Sequence, residues 1–112
     1  MSGTRQAADA ALEALAPLGD LELRRFFGGW AIVCDGCQFA MVMDDVYFRV
    51  DETLRRKLEA VPGSRPFSYV ARGRQVEVGR YWSAPGSDEE QLVDWGRQAL
   101  KAARRQKEQS AP

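Results

Sequence analysis

Between residues 5 and 19 the apolar positions follow a helical period. Ala8, Ala11, Leu12 and Leu15 fall on one face of an α-helix, while Arg5, Gln6, Asp9 and Glu13 take much of the other. Thr4 is placed to cap this helix, and Pro17 with Gly19 ends it. From Leu21 the period changes to two. Leu21 and Leu23 alternate with Glu22 and Arg24, the pattern of a half-buried strand, and Gly28-Gly29 predicts a turn or bulge after it. Two β-rich runs, Trp30 to Cys34 and Cys37 to Met43, flank Asp35-Gly36. Asp-Gly in that position predicts a hairpin with a type I′ turn, because both turn residues need positive φ, which Asp tolerates and Gly prefers.

Asp44-Asp45 separates Met43 from a further short strand, Val46 to Val50. Asp51 reads as the N-cap of a short helix whose Leu54, Leu58 and Val61 share a face, with Pro62-Gly63 as its stop. Phe67 to Val70 and Gln75 to Trp82 read as strands joined through Arg72-Gly73-Arg74. Ser87 and Glu90 match an S-x-x-E capping box for a last helix, with Asp88, Glu89 and Glu90 complementing its N-terminus. Leu92, Trp95, Ala99 and Ala103 line its inward face. This order predicts an α+β fold: an antiparallel β-sheet of about five or six strands with the N-terminal and C-terminal helices packed on it, in α-β-α order. The pattern is that of one domain over residues 1–112, with an ordered core over about 4–105 and a polar tail, 106–112, expected to fray.

Composition narrows the chemistry. The chain has 112 residues, 16 basic and 16 acidic side chains and no His, so its formal net charge is zero. Without His there is no Ser-His-Asp triad, Cys-His pair or imidazole metal ligand. Asn is absent as well, and no phosphate-binding loop or G-x-S-x-G nucleophile elbow occurs. The zero charge is unevenly spread. Residues 57–112 hold ten basic and seven acidic side chains, whereas residues 1–56 hold six and nine. The basic excess concentrates on the last helix, where Arg97, Lys101, Arg104 and Arg105 are the candidates for contact with nucleic acid or an acidic partner. The helix macrodipole also favours cations there, so a solvated helix end explains the same run. Tyr81, Trp82 and Trp95 read as core rather than as a base-stacking platform.

Cys34 and Cys37 form C-D-G-C. The pair brackets a hairpin turn rather than opening a helix, so it lacks the setting that lowers a thioredoxin-type thiol pKa. Facing each other across the strands, the two are candidates for an easily reduced bridge or half of a metal site, with packed thiols as the simpler reading. Asp44 and Asp45 lack an identifiable third ligand for a cation, and turn formation accounts for them. Asp9 and Glu13 interrupt the N-terminal Ala/Leu run, so no signal core is legible, and no stretch approaches a membrane span. The expected location is the cytoplasm, with reduced cysteines.

Several motifs in order carry a family resemblance. Arg24-Arg25-Phe26-Phe27-Gly28-Gly29-Trp30 resembles the R-x-M-F-G-G-[aromatic] signature of the TfoX/Sxy family N-terminal domain, with Phe26 standing where the pattern has Met. Asp35-Gly36 with Phe39-Ala40 resembles its D-G-x-x-F-A hairpin, and Val46 to Asp51 its L-Y-[LF]-[KR]-x-D segment. Pro66-Phe67-Ser68-Tyr69, Tyr81-Trp82-Ser83-Ala84-Pro85, and Trp95 with Ala99-Leu100 and Ala102-Ala103 are similar to P-F-x-Y, Y-[YW]-x-x-P and W-x-x-x-A-L-x-A-A. Together they span roughly residues 12–104. The pattern does not require Cys at positions 34 and 37.

The resemblance implies an antiparallel sheet with flanking helices and a stand-alone domain, since 112 residues leave no room for the helical C-terminal domain of the longer competence regulators. Two-domain members act in natural competence as co-activators with the cyclic-AMP receptor protein, and the family brings no catalytic residues. Its motif residues imply scaffold: Gly28-Gly29 for backbone geometry, and Phe27, Phe39, Phe67, Tyr69 and Trp95 for packing. The expectation is a non-enzymatic bacterial regulatory or protein-interaction module without cofactor. Its expected partner is a protein, with a transcription factor or a second copy in view. Nucleic-acid binding through the basic helix and a thiol or metal module at Cys34 and Cys37 are the alternatives.

Overall fold

Three of the sheet's four hairpins are set by dipeptides that end in glycine. Phe27-Gly28 has φ values of 47° and 79°, Asp35-Gly36 51° and 77°, and Arg72-Gly73 54° and 76°. Two successive residues in the left-handed region make the type I′ turn, whose twist matches that of the strands it joins. The expected Asp35-Gly36 hairpin is found. The turn expected at Gly28-Gly29 lies one residue earlier, on Phe27-Gly28, and the third turn closes on Arg72-Gly73 with Arg74 already in the strand.

The computed structural model describes residues 4–110. In chain order the elements are α1 (Arg5–Leu15) with a 3₁₀ turn (Ala16–Leu18), β1 (Leu21–Phe26), β2 (Gly29–Cys34), β3 (Cys37–Val42), β4 (Val46–Arg49), α2 (Glu52–Glu59), β5 (Pro66–Ala71), β6 (Arg74–Ser83) and α3 (Glu89–Ser110). The six strands form one antiparallel sheet in the order β1-β2-β3-β4-β6-β5, within the range the sequence pattern implies. The exchange of β5 and β6 follows from α2. That helix carries the chain past the edge, so the strand that returns beside β4 is the second of the last hairpin.

Local capping sets the helix starts. The Thr4 hydroxyl accepts from the Ala7 N–H at 3.1 Å, and the Asp51 carboxylate accepts from the Leu54 N–H at 2.8 Å. At α3 the capping box differs from the expected Ser87/Glu90 pair. Asp88 and Gln91 form it, with the Gln91 N–H donating to Asp88 at 2.8 Å and the Asp88 N–H to Gln91 at 2.9 Å. Ser87 instead donates its hydroxyl to the Ala84 carbonyl at 2.9 Å, closing the turn before the helix. The helix also continues to Ser110, beyond the position where polarity suggested fraying. Gln106 ties the helix to the sheet, accepting from Arg49 Nε at 2.6 Å and donating to the Val50 carbonyl at 3.1 Å.

All three helices contribute to one core on one face of the sheet. Ala8, Ala11 and Leu15 of α1, Leu54 and Leu58 of α2, and Ala99, Leu100 and Ala103 of α3 pack on Ile32, Phe39, Phe48 and their neighbours. Burying each leucine, isoleucine and phenylalanine side chain among these stabilises by roughly 1.5–3 kcal/mol. Small residues let α3 approach closely. At Gly96 an added Cβ would press on Leu15 and Leu18.

Among the described residues no helix lies on the opposite face, yet Ala31, Val33, Met41, Tyr47 and Tyr81 are buried there. The sheet hides them by rolling. Met41, Met43, Tyr47, Phe67 and Tyr81 form a second core, joined by Phe26 from one end of the sheet and Val78 from near the other. The roll brings the β1–β2 turn against β5, where the Phe27 and Tyr69 rings stack with centroids 5.7 Å apart. Gly29 makes the tight side of this roll. A Cβ there would overlap the Val42 carbonyl oxygen and the Met43 sulfur.

Gly29→Ala is therefore expected to lower unfolding free energy by roughly 1–3 kcal/mol in a urea titration. Gly79→Ala, on exposed β6 backbone with open space around it, is expected to leave it unchanged or raise it by up to about 1 kcal/mol.

Candidate functional site

The three exposed large hydrophobic side chains among the described residues lie at the place where the rolled sheet closes. Phe27 is 66% exposed, Tyr69 36% and Val70 74%. Folded domains rarely leave such groups together without use for them. Phe27 sits at φ 47°, a conformation that costs an ordinary side chain roughly 1–2 kcal/mol. The turn thus holds an aromatic ring outward where Asn, Asp or Gly would be less strained. Strain of this kind at an exposed ring points toward a role outside the fold.

An open groove of about 360 Å³ runs beside these rings, lined on one side by Phe27, Met43 and Asp44 and on the other by the consecutive residues 67–70 of β5. A ladder of aromatic contacts supports it. Phe26 meets Phe27 edge-on at 4.6 Å, Phe67 lies 6.2 Å from Tyr69, and Tyr47 meets Phe67 edge-on at 5.3 Å. The arrangement offers apolar rings and strand backbone, which suits capture of an apolar side chain or an extended peptide.

A polar network holds the floor. The buried Tyr47 hydroxyl donates to Asp44 at 2.8 Å, and Arg65 pairs with the other Asp44 oxygen while its guanidinium lies 5.8 Å from the Tyr47 ring centre. Burial pushes the Tyr47 phenol up, and its hydrogen bond to Asp44 adds to the effect, bringing it to about 12. For Asp44, partial burial pushes upward, but the hydrogen bonds from Tyr47 and Arg65 outweigh it and leave the carboxyl below its ordinary value.

The residues singled out from sequence are not gathered at this groove. Cys34 and Cys37 face each other across the β2–β3 hairpin, as expected, and both are buried free thiols in the helix-side core. Burial and the adjacent Asp35 carboxylate push the Cys34 thiol up, which keeps it protonated and a poor nucleophile. Among the described residues, no group of three or more His, Cys, Asp or Glu side chains comes together as metal ligands. Asp44 is taken up by Tyr47 and Arg65, and Asp45 caps the Val46 N–H at 2.8 Å. Tyr81 is buried, and Trp82 and Trp95 pack against the helix-side core.

On the basic helix, Arg97 lies 3.8 Å from Asp94, Arg104 3.3 Å from Asp35 and Arg105 3.5 Å from Asp51, all at exposed positions. Lys101 lines a shallow groove with Lys57, Gln98 and Arg105. Two of these pairs, Arg104 with Asp35 and Arg105 with Asp51, join the basic second half of the chain to the acidic first half. Two expectations about packing are corrected. Phe27, assigned to packing by its motif, stands out in solvent because the I′ turn aims it there, and Tyr69 is only partly covered by it. The signal was present in the sequence: Phe27-Gly28 occupies the same turn position as Asp35-Gly36, a place for exposed residues.

Among the described residues, no helix is long and apolar enough to cross a membrane. The model of the TfoX N-terminal domain family matches residues 13–103, most of the chain and all six strands. No curated protein matches the chain.

The network sets a pH dependence. The lowered Asp44 pKa contributes stability above the ordinary carboxylate value of 3.8 that is lost as pH falls through the folded value. The raised Tyr47 pKa contributes stability that is complete below 10 and lost as pH rises through about 12. The urea midpoint is expected to fall over that alkaline window, with a smaller fall in Tyr47→Phe. Titration at the phenolate absorbance band should lose its latest-ionising component in the same variant.

Proposed function

The chain belongs to the TfoX N-terminal domain family, and on that premise we propose that it is a non-enzymatic regulatory module that docks on another protein through the Phe27–Tyr69 patch. The observation that carries this reading is the convergence of the exposed large hydrophobics on one groove, with one of them held there at a strained φ. Aromatic side chains with a limited apolar area and a polar surround are the usual anchors of a protein contact. The family's regulatory character points to a partner in the transcription machinery, and the reading carries a cytoplasmic location with it.

The basic helix supports direct nucleic-acid binding less well. Arg97, Arg104 and Arg105 each lie within ion-pair distance of an acidic group of the same chain. Phosphate would have to displace those partners, and the net charge of zero supplies no compensating field.

Phe27→Asn separates docking from folding. It relieves the strained φ while losing the Tyr69 stack, two effects of about 1 kcal/mol and opposite sign, so stability should stay within about 1 kcal/mol of the parent. Affinity capture with the parent protein should recover one protein reproducibly, and that protein should be lost with Phe27→Asn. Retention of the partner by this variant, or recovery of no reproducible partner by the parent, contradicts the reading.

A further inference from the structure

The two edges of the sheet are unlike. The β1 edge carries Glu22, Arg24 and Arg25 within its six residues, the charges by which edge strands discourage pairing with another chain. The β5 edge, Pro66–Ala71, carries none. Its devices are Pro66 at the first position, where a missing N–H costs least, and an irregularity in its pairing with β6 between Pro66 and Phe67. The four residues that follow Pro66 line the groove in unbroken succession, so the strand's backbone edge, and not just alternate side chains, borders the open space. Phe27 forms the opposite wall.

From this we infer that the groove takes an extended, acidic peptide segment of a partner protein as a seventh strand alongside β5, with an apolar side chain packed in the groove beside the stacked Phe27 and Tyr69 rings. The inference rests on the docking reading above and adds the conformation and charge of what docks. The charge follows from the strand's flanks. Arg72 and Arg74 follow β5 in the turn and the first position of β6, while Arg65, which precedes it, is already paired with Asp44. Arg74 shares the face of Tyr69, because Ala71 pairs with Arg74 and Tyr69 with Val76. Among the described residues, no carboxylate forms an ion pair with Arg72 or Arg74. The acidic neighbours do not cancel them. Asp44 is committed to Tyr47 and Arg65, and Glu77, opposite Ser68, lies on the other face of the ribbon.

The test uses the full chain, ¹⁵N-labelled, and a capped peptide that alternates Glu with Val and Phe, at concentrations up to about 1 mM. Amide shifts and slowed exchange are expected at residues 67–70, with shifts at Phe27. The peptide with Lys in place of Glu should bind at least about tenfold more weakly, and Arg72→Glu with Arg74→Glu, both exposed, should reverse that preference. A peptide with Pro at its centre should lose binding, since it lacks the backbone donor. No perturbation at residues 67–70, equal binding of the Glu and Lys peptides, full binding of the Pro peptide, or a concentration-dependent dimer formed through β5 each overturns the inference. Loss of the captured partner in Phe27→Asn with any of these results leaves docking standing and removes strand addition. Retention of that partner removes docking itself.

Discussion

A six-stranded sheet with all its helices on one face must protect the other face by some means, and here that constraint shapes the molecule. The helix-side face is covered by α1, α2 and α3. The uncovered face buries Met41, Tyr47 and Tyr81 only because the sheet rolls until its two ends meet. Three I′ turns supply the twist, and Gly29 permits the close approach to the Val42 carbonyl and Met43. The roll does not close into a barrel, since β1 and β5 share no hydrogen-bonded ladder. It leaves a groove beside β5 and stands Phe27 at its rim. The groove is thus a consequence of how a one-sided sheet finishes its core.

What was legible in the sequence was what local chemistry determines. Thr4 and Asp51 cap the helices that periodicity assigns to them, and Asp35-Gly36 makes the turn its residue types demand. The capping box of α3 moved from Ser87 to Asp88 because both residues suit an N-cap, and only the packed turn at Ala84 gives Ser87 another task. The end of α3 depends on tertiary contacts. Gln106 looks like a fraying polar residue until Arg49 and Val50, more than fifty positions earlier, hold it. The site was harder to see, since an aromatic residue is by default a core residue. Only the recurrence of one turn type at 27–28 and 35–36 distinguishes Phe27 from Phe39, which is fully buried.

Charge tells a related story. The acidic first half and basic second half appear along the chain as a dipole available to a partner. In the fold, Asp35 meets Arg104 and Asp51 meets Arg105. Such exposed pairs are worth little in stability, about 0–1 kcal/mol each. Their effect is to keep the basic helix from standing as an isolated cationic stripe. Arg72 and Arg74, which form no ion pair among the described residues, lie instead at the tip of the last hairpin, beyond the part of β5 that lines the groove.

The roll of the sheet onto itself carries both the second core and the site, and it is tested most directly by nuclear Overhauser effects in the folded protein. Cross-peaks are expected between the ring protons of Phe27 and Tyr69, whose centroids lie 5.7 Å apart, and between those of Tyr47 and Phe67, at 5.3 Å. Cross-peaks for Tyr47 and Phe67 with none between Phe27 and Tyr69 would mean that the ends of the sheet stay apart, and would contradict the account.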